Sequence, residues 1–216
     1  WGGAFYCSNS NPTLVECIFN NNIGEWLTGG MGCYGSSPHL TKCTFSNNST
    51  EEGGGAISNL YNSSPILTDC VFINNVSEYN GAGGIYNEGN SNPLLTDCTF
   101  SNNGSLYGYG GGITSYNDSV PTLINTVLCE NSPGNIYGPW KNGGGTCITF
   151  SCQDSDGDGW PDKCSTVGDG VHHVPSEYPT IQSAIEAAGF SDEVVIAPGT
   201  YTGDGADAII NPGGKQ

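Results

Sequence analysis

At 216 residues the chain fits one medium domain or an elongated repeat domain, and 34 glycines with only 36% hydrophobic residues argue against an ordinary globular core. Arginine is absent and four lysines face 21 acidic residues, a formal charge of -17 that repels the phosphate backbone of a nucleic acid. The same charge favours divalent cations, although a solvated acidic surface accounts for it equally well.

From the first residues the chain repeats itself. The pattern P-x-L-x-x-C-x-F-x-x-N starts at Pro12, Pro38, Pro65 and Pro93, with a degenerate copy at Pro121, so the period is 26 to 28 residues. Its phased residues are Leu14/Cys17/Phe19/Asn22, Leu40/Cys43/Phe45/Asn48, Leu67/Cys70/Phe72/Asn75 and Leu95/Cys98/Phe100/Asn103; the fifth copy keeps Leu123 and Asn131 but carries Thr126 and Leu128. Before each proline lies a glycine doublet opening a short apolar stretch, as in Gly54-Gly55-Ala56-Ile57. Each repeat thus predicts about three short strands, with a variable loop between Asn and the next glycine doublet.

Cys and Phe are two apart and share a strand face, whereas Leu, three before Cys, must lie on another strand across a bend. That change of parity predicts a coil, and stacked coils place identical residues about 4.8 Å apart in Leu, Cys and Phe columns. Recurrent Gly, Pro and Asn exclude helical repeats. The expected fold is all-β: a parallel β-helix over residues 1–150, then a linker over 151–170 and a cap-like segment over 171–216.

The phased pairing of Gly54-Gly55-Ala56-Ile57 with Phe45-x-x-Asn48 resembles the polymorphic outer-membrane proteins of chlamydiae and the wider family of right-handed parallel β-helix repeat proteins, over roughly residues 1–150. The resemblance implies a right-handed coil; members of that family are mostly surface adhesins or of unknown role.

Past the repeats, Asp154, Asp156, Asp158 and Asp162 stand at positions 1, 3, 5 and 9 of a loop with Gly159 at position 6, a spacing that wraps oxygens around one hard cation. The candidate metal ligands are Asp154, Asp156, Asp158, Trp160 and Asp162, and the expected cofactor is calcium. The loop resembles those of thrombospondin type 3 repeats down to Cys164, but Ser165 stands where an EF-hand has its bidentate glutamate, so weak or moderate affinity is expected. Residues Val174 to Gly189 read as an amphipathic helix and Glu193 to Ala197 as a strand. This string resembles the amino-terminal cap and first rung of pectin-lyase-like β-helices, displaced here to the end of the chain.

Ten cysteines without paired zinc spacing point to an oxidising, extracellular setting. There is no signal-peptide pattern and no apolar run of membrane-spanning length, and the first residues read as mid-repeat; the expectation is a mature secreted chain or an excised fragment. Cys7 and Cys33 are expected to be bonded, the inner Cys column mostly or wholly reduced, and Cys152 or Cys147 paired with Cys129 or Cys164. Asn22, Asn48, Asn75 and Asn103 suit a structural ladder. Yet Asn47, Asn48, Asn62, Asn75, Asn103 and Asn117 each begin a glycosylation sequon, of which Asn62 and Asn117 are the better acceptors because a ladder and a glycan cannot share one side chain.

No residue pattern points to catalysis. Lys42 shares the outward position of Glu16, Asp69 and Asp97, where a solvated charge is the simplest reading, and only Asp69 and Asp97 form a carboxylate pair in adjacent repeats. His39, His172 and His173 accompany no recognisable nucleophile. The expected function is an extracellular structural repeat protein that assembles into a filament or surface fibre, a homo-oligomer joined head to tail through its cap segment and amino-terminal rung. The alternatives are a carbohydrate- or host-binding adhesin and, disfavoured, a polysaccharide lyase or hydrolase. For the adhesin, Trp26, Tyr79, Tyr107 and Tyr109 lie in the variable loops and could stack on sugars, with mutual packing as the competing reading.

Overall fold

The computed structural model describes residues 3–149, 171–174, 181 and 193–196, and the chain divides into two compact units, 1–153 and 154–216. The first unit is a stack of coils. Rung 1 contains β1 (Phe5–Ser8), β2 (Thr13–Val15), β3 (Ile18–Asn20) and β4 (Ile23–Gly24); rung 2 contains β5 (Met31–Tyr34), β6 (His39–Thr41), β7 (Thr44–Ser46) and β8 (Ser49–Gly54). Rung 3 follows with β9 (Ile57–Leu60), β10 (Ile66–Thr68), β11 (Val71–Ile73) and β12 (Val76–Ala82), and rung 4 with β13 (Ile85–Glu88), β14 (Leu94–Thr96), β15 (Thr99–Ser101) and β16 (Gly104–Ser105). Rung 5 has β17 (Ile113–Ser115), β18 (Thr122–Ile124) and β19 (Val127–Cys129), and a closing rung has β20 (Ile136–Tyr137), β21 (Lys141–Asn142) and β22 (Cys147–Thr149).

Equivalent strands pair in register and in parallel into three six-stranded sheets, β1-β5-β9-β13-β17-β20, β2-β6-β10-β14-β18-β21 and β3-β7-β11-β15-β19-β22, and a four-stranded sheet, β4-β8-β12-β16. The fourth sheet corrects the expectation of three strands per repeat. It occupies the segment read as a variable loop, because Ser49–Gly54 and Val76–Ala82 borrow their backbone partners from the rungs beside them and need no apolar alternation of their own.

Left-handed residues recur at two equivalent corners of every coil. Glu16, Lys42, Asp69, Asp97 and Asn125, just before the inner Cys or Thr, have φ between 45° and 54°; Asn21, Asn47, Asn74, Asn102 and Glu130, just before the ladder asparagine, have φ between 54° and 57°. Each such residue costs roughly 1–2 kcal/mol, least for Asn and Asp, and the inter-rung hydrogen bonds on either side hold it there. The first of these corners is the bend implied by the three-residue Leu-to-Cys spacing.

The interior is a set of columns. Phe19, Phe45, Phe72 and Phe100 stack nearly face to face, with ring centroids 4.6, 5.1 and 4.3 Å apart and interplanar angles of 2°, 4° and 6°. The Leu column, from the half-buried Leu14 through the buried Leu40, Leu67 and Leu95 to Leu123, ends in register with Asn142. The glycine doublets lie where coils touch backbone to backbone: a Cβ on Gly55 would sit 2.6 Å from the Gly83 and Val76 carbonyl oxygens.

In the second unit β23 (Val171–Val174) pairs in parallel with β24 (Glu193–Ile196). Val174 is therefore the end of a strand, not the start of the expected helix; the β-branched Val171 and Val174 favour extended backbone. Of the expected helix beyond Val174, only Ile181 is among the described residues. No helix of the described residues is long and apolar enough to cross a membrane.

Candidate functional site

The recurrent asparagines form a hydrogen-bonded ladder. Asn22 donates its side-chain amide to Asn48 Oδ1 (2.8 Å), Asn48 to Asn75, Asn75 to Asn103 and Asn103 to Asn131 (each 2.9 Å). Each Oδ1 also accepts the backbone N–H of the preceding rung's asparagine, and the amides of Asn48, Asn75, Asn103 and Asn131 also donate to the carbonyls of Phe19, Phe45, Phe72 and Phe100. Asn48, Asn75 and Asn103 are buried with both amide hydrogens engaged, so in the folded chain they offer no free nitrogen for a glycan. Asn47, Asn62 and Asn117 are exposed. The amide of Asn47 donates to Asn20, that of Asn117 donates to Glu88, and the oxygen of Asn62 accepts from Asn90.

A second ladder escaped the sequence reading. Ser36, Ser63, Ser91 and Ser119 present hydroxyl oxygens to the backbone N–H of Ser10, Ser36, Ser63 and Ser91 at 3.0–3.1 Å. Its signal was present: S-x-P recurs at Ser10, Ser36, Ser63, Ser91 and Ser119.

Cys7 and Cys33 are free thiols, which corrects the expected bond. They are in register on parallel strands, so their Cβ atoms stand about one strand spacing apart, roughly 4.8 Å, beyond the 3.5–4.5 Å a disulfide accepts. The Cys7 thiol donates instead to the Gly32 carbonyl (3.6 Å). The Cys33 thiol, aided by the Ser36 hydroxyl and opposed by burial, lowers Cys7 to about 7, while the Cys7 sulfur and burial push Cys33 well above its ordinary value. Cys17, Cys43, Cys70 and Cys98 are also free. Cys43, Cys70 and Cys98 each share their single thiol hydrogen between a carbonyl of their own rung and one of the preceding rung, a role the Thr126 hydroxyl takes over in rung 5 with Ile124 and Leu95. Cys129 and Cys147 are each disulfide-bonded; Cys152 and Cys164 lie outside the described residues.

On the outside, Glu16, Lys42, Asp69 and Asp97 are the left-handed corner residues, so a turn selects them and their chemistry differs from rung to rung. His39 is exposed on β6. The aromatic side chains do converge. Tyr79 stacks on Tyr107 (5.4 Å, 11°) and Tyr109 on Tyr137 (4.5 Å, 22°), and from Tyr137 the tract continues through Tyr116 (5.5 Å) to Tyr86 (5.9 Å). Trp26 is exposed on rung 1 and joins no such stack among the described residues. Tyr86 donates its hydroxyl to Glu88 (3.1 Å); burial, then the Glu88 carboxylate, raises it far above the ordinary phenol range. Burial and then the neighbouring Tyr137 and Tyr109 raise Tyr116. The loop positions of Tyr79, Tyr107 and Tyr109 are evident in the sequence, whereas Tyr86, Tyr116 and Tyr137 lie on or beside the first sheet and join the tract only through the fold.

The candidate metal ligands Asp154, Asp156, Asp158, Trp160 and Asp162 lie outside the described residues. Among the described residues no group of three or more His, Cys, Asp or Glu side chains is placed to hold a metal ion.

In-register parallel coils with stacked Phe, Leu and Asn columns define a parallel β-solenoid of about five turns. Residues 1–154 match the family described as the right handed beta helix region, and the chain belongs to that family. Searches of curated proteins and of solved structures returned no match. The family fold hosts enzymes and non-enzymes alike, so membership by itself assigns no activity.

Proposed function

We propose that the chain is a non-catalytic structural solenoid working outside the cell, which joins other coils end to end through its first rung. The carrying observation is the way coil joins coil: each rung is held to the next by in-register parallel backbone pairing and by Leu, Phe and Asn columns that run from rung to rung.

An open rung is a template for strand addition, and a coil stacked on it pairs the backbone and continues the columns. That coil comes from a preceding part of the same chain or from another copy. In the second case the contact is heterologous and grows a fibre unless it closes into a ring, with residues 171–216 of one copy meeting rung 1 of the next. Calcium on Asp154, Asp156, Asp158, Trp160 and Asp162 would rigidify that loop by cross-linking its carboxylates. Asn62 is the glycan acceptor this reading favours among the exposed sequons, because its side chain is hydrogen-bonded through its oxygen, whereas the amide nitrogens of Asn47 and Asn117 donate to Asn20 and Glu88.

Sedimentation velocity over a concentration series tests the docking edge. Association is expected to rise with concentration and to be lost in Leu14→Lys, which puts a charge in the Leu column, but not in Val15→Lys, on the outer face. Association unchanged by Leu14→Lys would contradict the reading.

A further inference from the structure

We infer that the ledge where rung 4 overhangs rung 5 binds a neutral glycan chain by stacking sugar rings on Tyr107, Tyr109 and Tyr137. The overhang follows from loop length. Between Asn103 and Ile113 the chain of rung 4 runs out through Leu106–Tyr109, whereas in rung 5 it passes directly from Asn131 to Ile136. The fourth sheet accordingly ends at β16, with only an isolated bridge from Gly104 to Ser132 beyond it. Leu106 and Tyr107 donate their backbone N–H groups to Ser77 and Glu78 of rung 3 (3.0 and 2.9 Å), so this segment is held from one side.

The step leaves aromatic surface open. Tyr107 is 71% exposed, Leu106 66%, Tyr109 54% and Tyr137 38%. Tyr79 covers one face of Tyr107 and leaves the other open, while Tyr109 and Tyr137 each cover one face of the other. The fold does not require rings here: the residue in register with Tyr79 on rung 2 is Glu52, and that rung keeps the same four strands.

The chemistry selects the ligand class. A phenol ring offers a flat apolar face to the C–H face of a pyranose and a hydroxyl to its oxygens, at little cost in side-chain freedom. Beside the rings, Glu88 accepts from Tyr86 and from the Asn117 amide, forming a polar margin suited to sugar hydroxyls. Charge excludes anionic chains. Among the described residues rungs 3 to 5 hold no lysine, Lys42 lying on rung 2 and Lys141 on the closing rung, while Glu52, Glu78 and Glu88 flank the tract. A uronate or sulfated polymer would be repelled, which leaves a neutral polysaccharide.

Titration with cellohexaose, xylohexaose and mannohexaose, and with a galacturonate hexamer as the anionic counterpart, tests this by calorimetry and tyrosine fluorescence. One or more neutral hexasaccharides are expected to bind and the galacturonate not. Tyr107→Ala or Tyr137→Ala should weaken binding about tenfold each. Tyr107→Phe should preserve it, because the ring face carries the contact, and Trp26→Ala, three rungs away, should leave it unchanged. Circular dichroism and denaturation midpoints would confirm that each variant folds. Absence of binding to every neutral hexasaccharide, preference for galacturonate, or binding indifferent to both alanine substitutions would overturn the proposal. So would a dimer that the same substitutions dissociate while no sugar binds, which would assign the ledge to a second copy of the chain.

Discussion

Asn75 shows how one side chain fastens three rungs. Its carboxamide accepts from the backbone and amide of Asn48 and donates to Phe45 and Asn103, all within a buried corner. Truncation to alanine strands those partners without water. We expect Asn75→Ala to cost about 3 kcal/mol, seen as a lower denaturation midpoint, and Asn75→Asp to cost more at neutral pH because a buried charge replaces two donors. The Cys7–Cys33 pair predicts a pH effect of definite sign. Because the folded Cys7 thiol is lowered from 9.0 to about 7, its thiolate adds stability that is fully present above the unfolded value and is lost as pH falls through 7. Stability is therefore expected to rise between pH 7 and 9, and Cys7→Ser should flatten the rise. A pH profile identical in Cys7→Ser and the parent would refute the assignment.

At the scale of the element, coil contact explains why glycine recurs. A Cβ on Gly83 would meet the Asn75 carbonyl and the Gly104 backbone, all rigid, whereas the adjacent column already accommodates Ala56, in register with Gly30 and Gly84. Gly83→Ala is expected to lose about 3 kcal/mol, and Gly30→Ala, whose Cβ would face the Phe45 ring at 3.1 Å and one carbonyl, distinctly less. Equal losses in urea denaturation would argue against backbone contact as the cause. The parts legible beforehand were those with a repeated residue type: Leu, Cys and Phe two or three apart dictate a face and a bend, and the asparagines a ladder. The fourth sheet was not legible, since Ser49–Gly54 alternates no apolar residues and becomes a strand only through its neighbours' backbone. Cysteine spacing suggested a bond because Cα separation alone permits one; parallel Cβ directions forbid it. The tyrosine tract was half legible, because Tyr86, Tyr116 and Tyr137 join Tyr109 only through stacking of rungs whose loops differ in length.

For the whole molecule, backbone pairing between rungs replaces a thick core, which is how a chain with 34 glycines and 36% hydrophobic residues forms an ordered stack. What holds rung 2 to rung 3 is equally available to an added coil. The charge of -17 opposes indiscriminate association between copies and makes any assembly sensitive to divalent cations and ionic strength. Electron microscopy of the purified protein with calcium and after chelation tests end-to-end joining most directly. The account predicts elongated head-to-tail particles that shorten or bend when calcium is removed; a monodisperse monomer indifferent to calcium would contradict it.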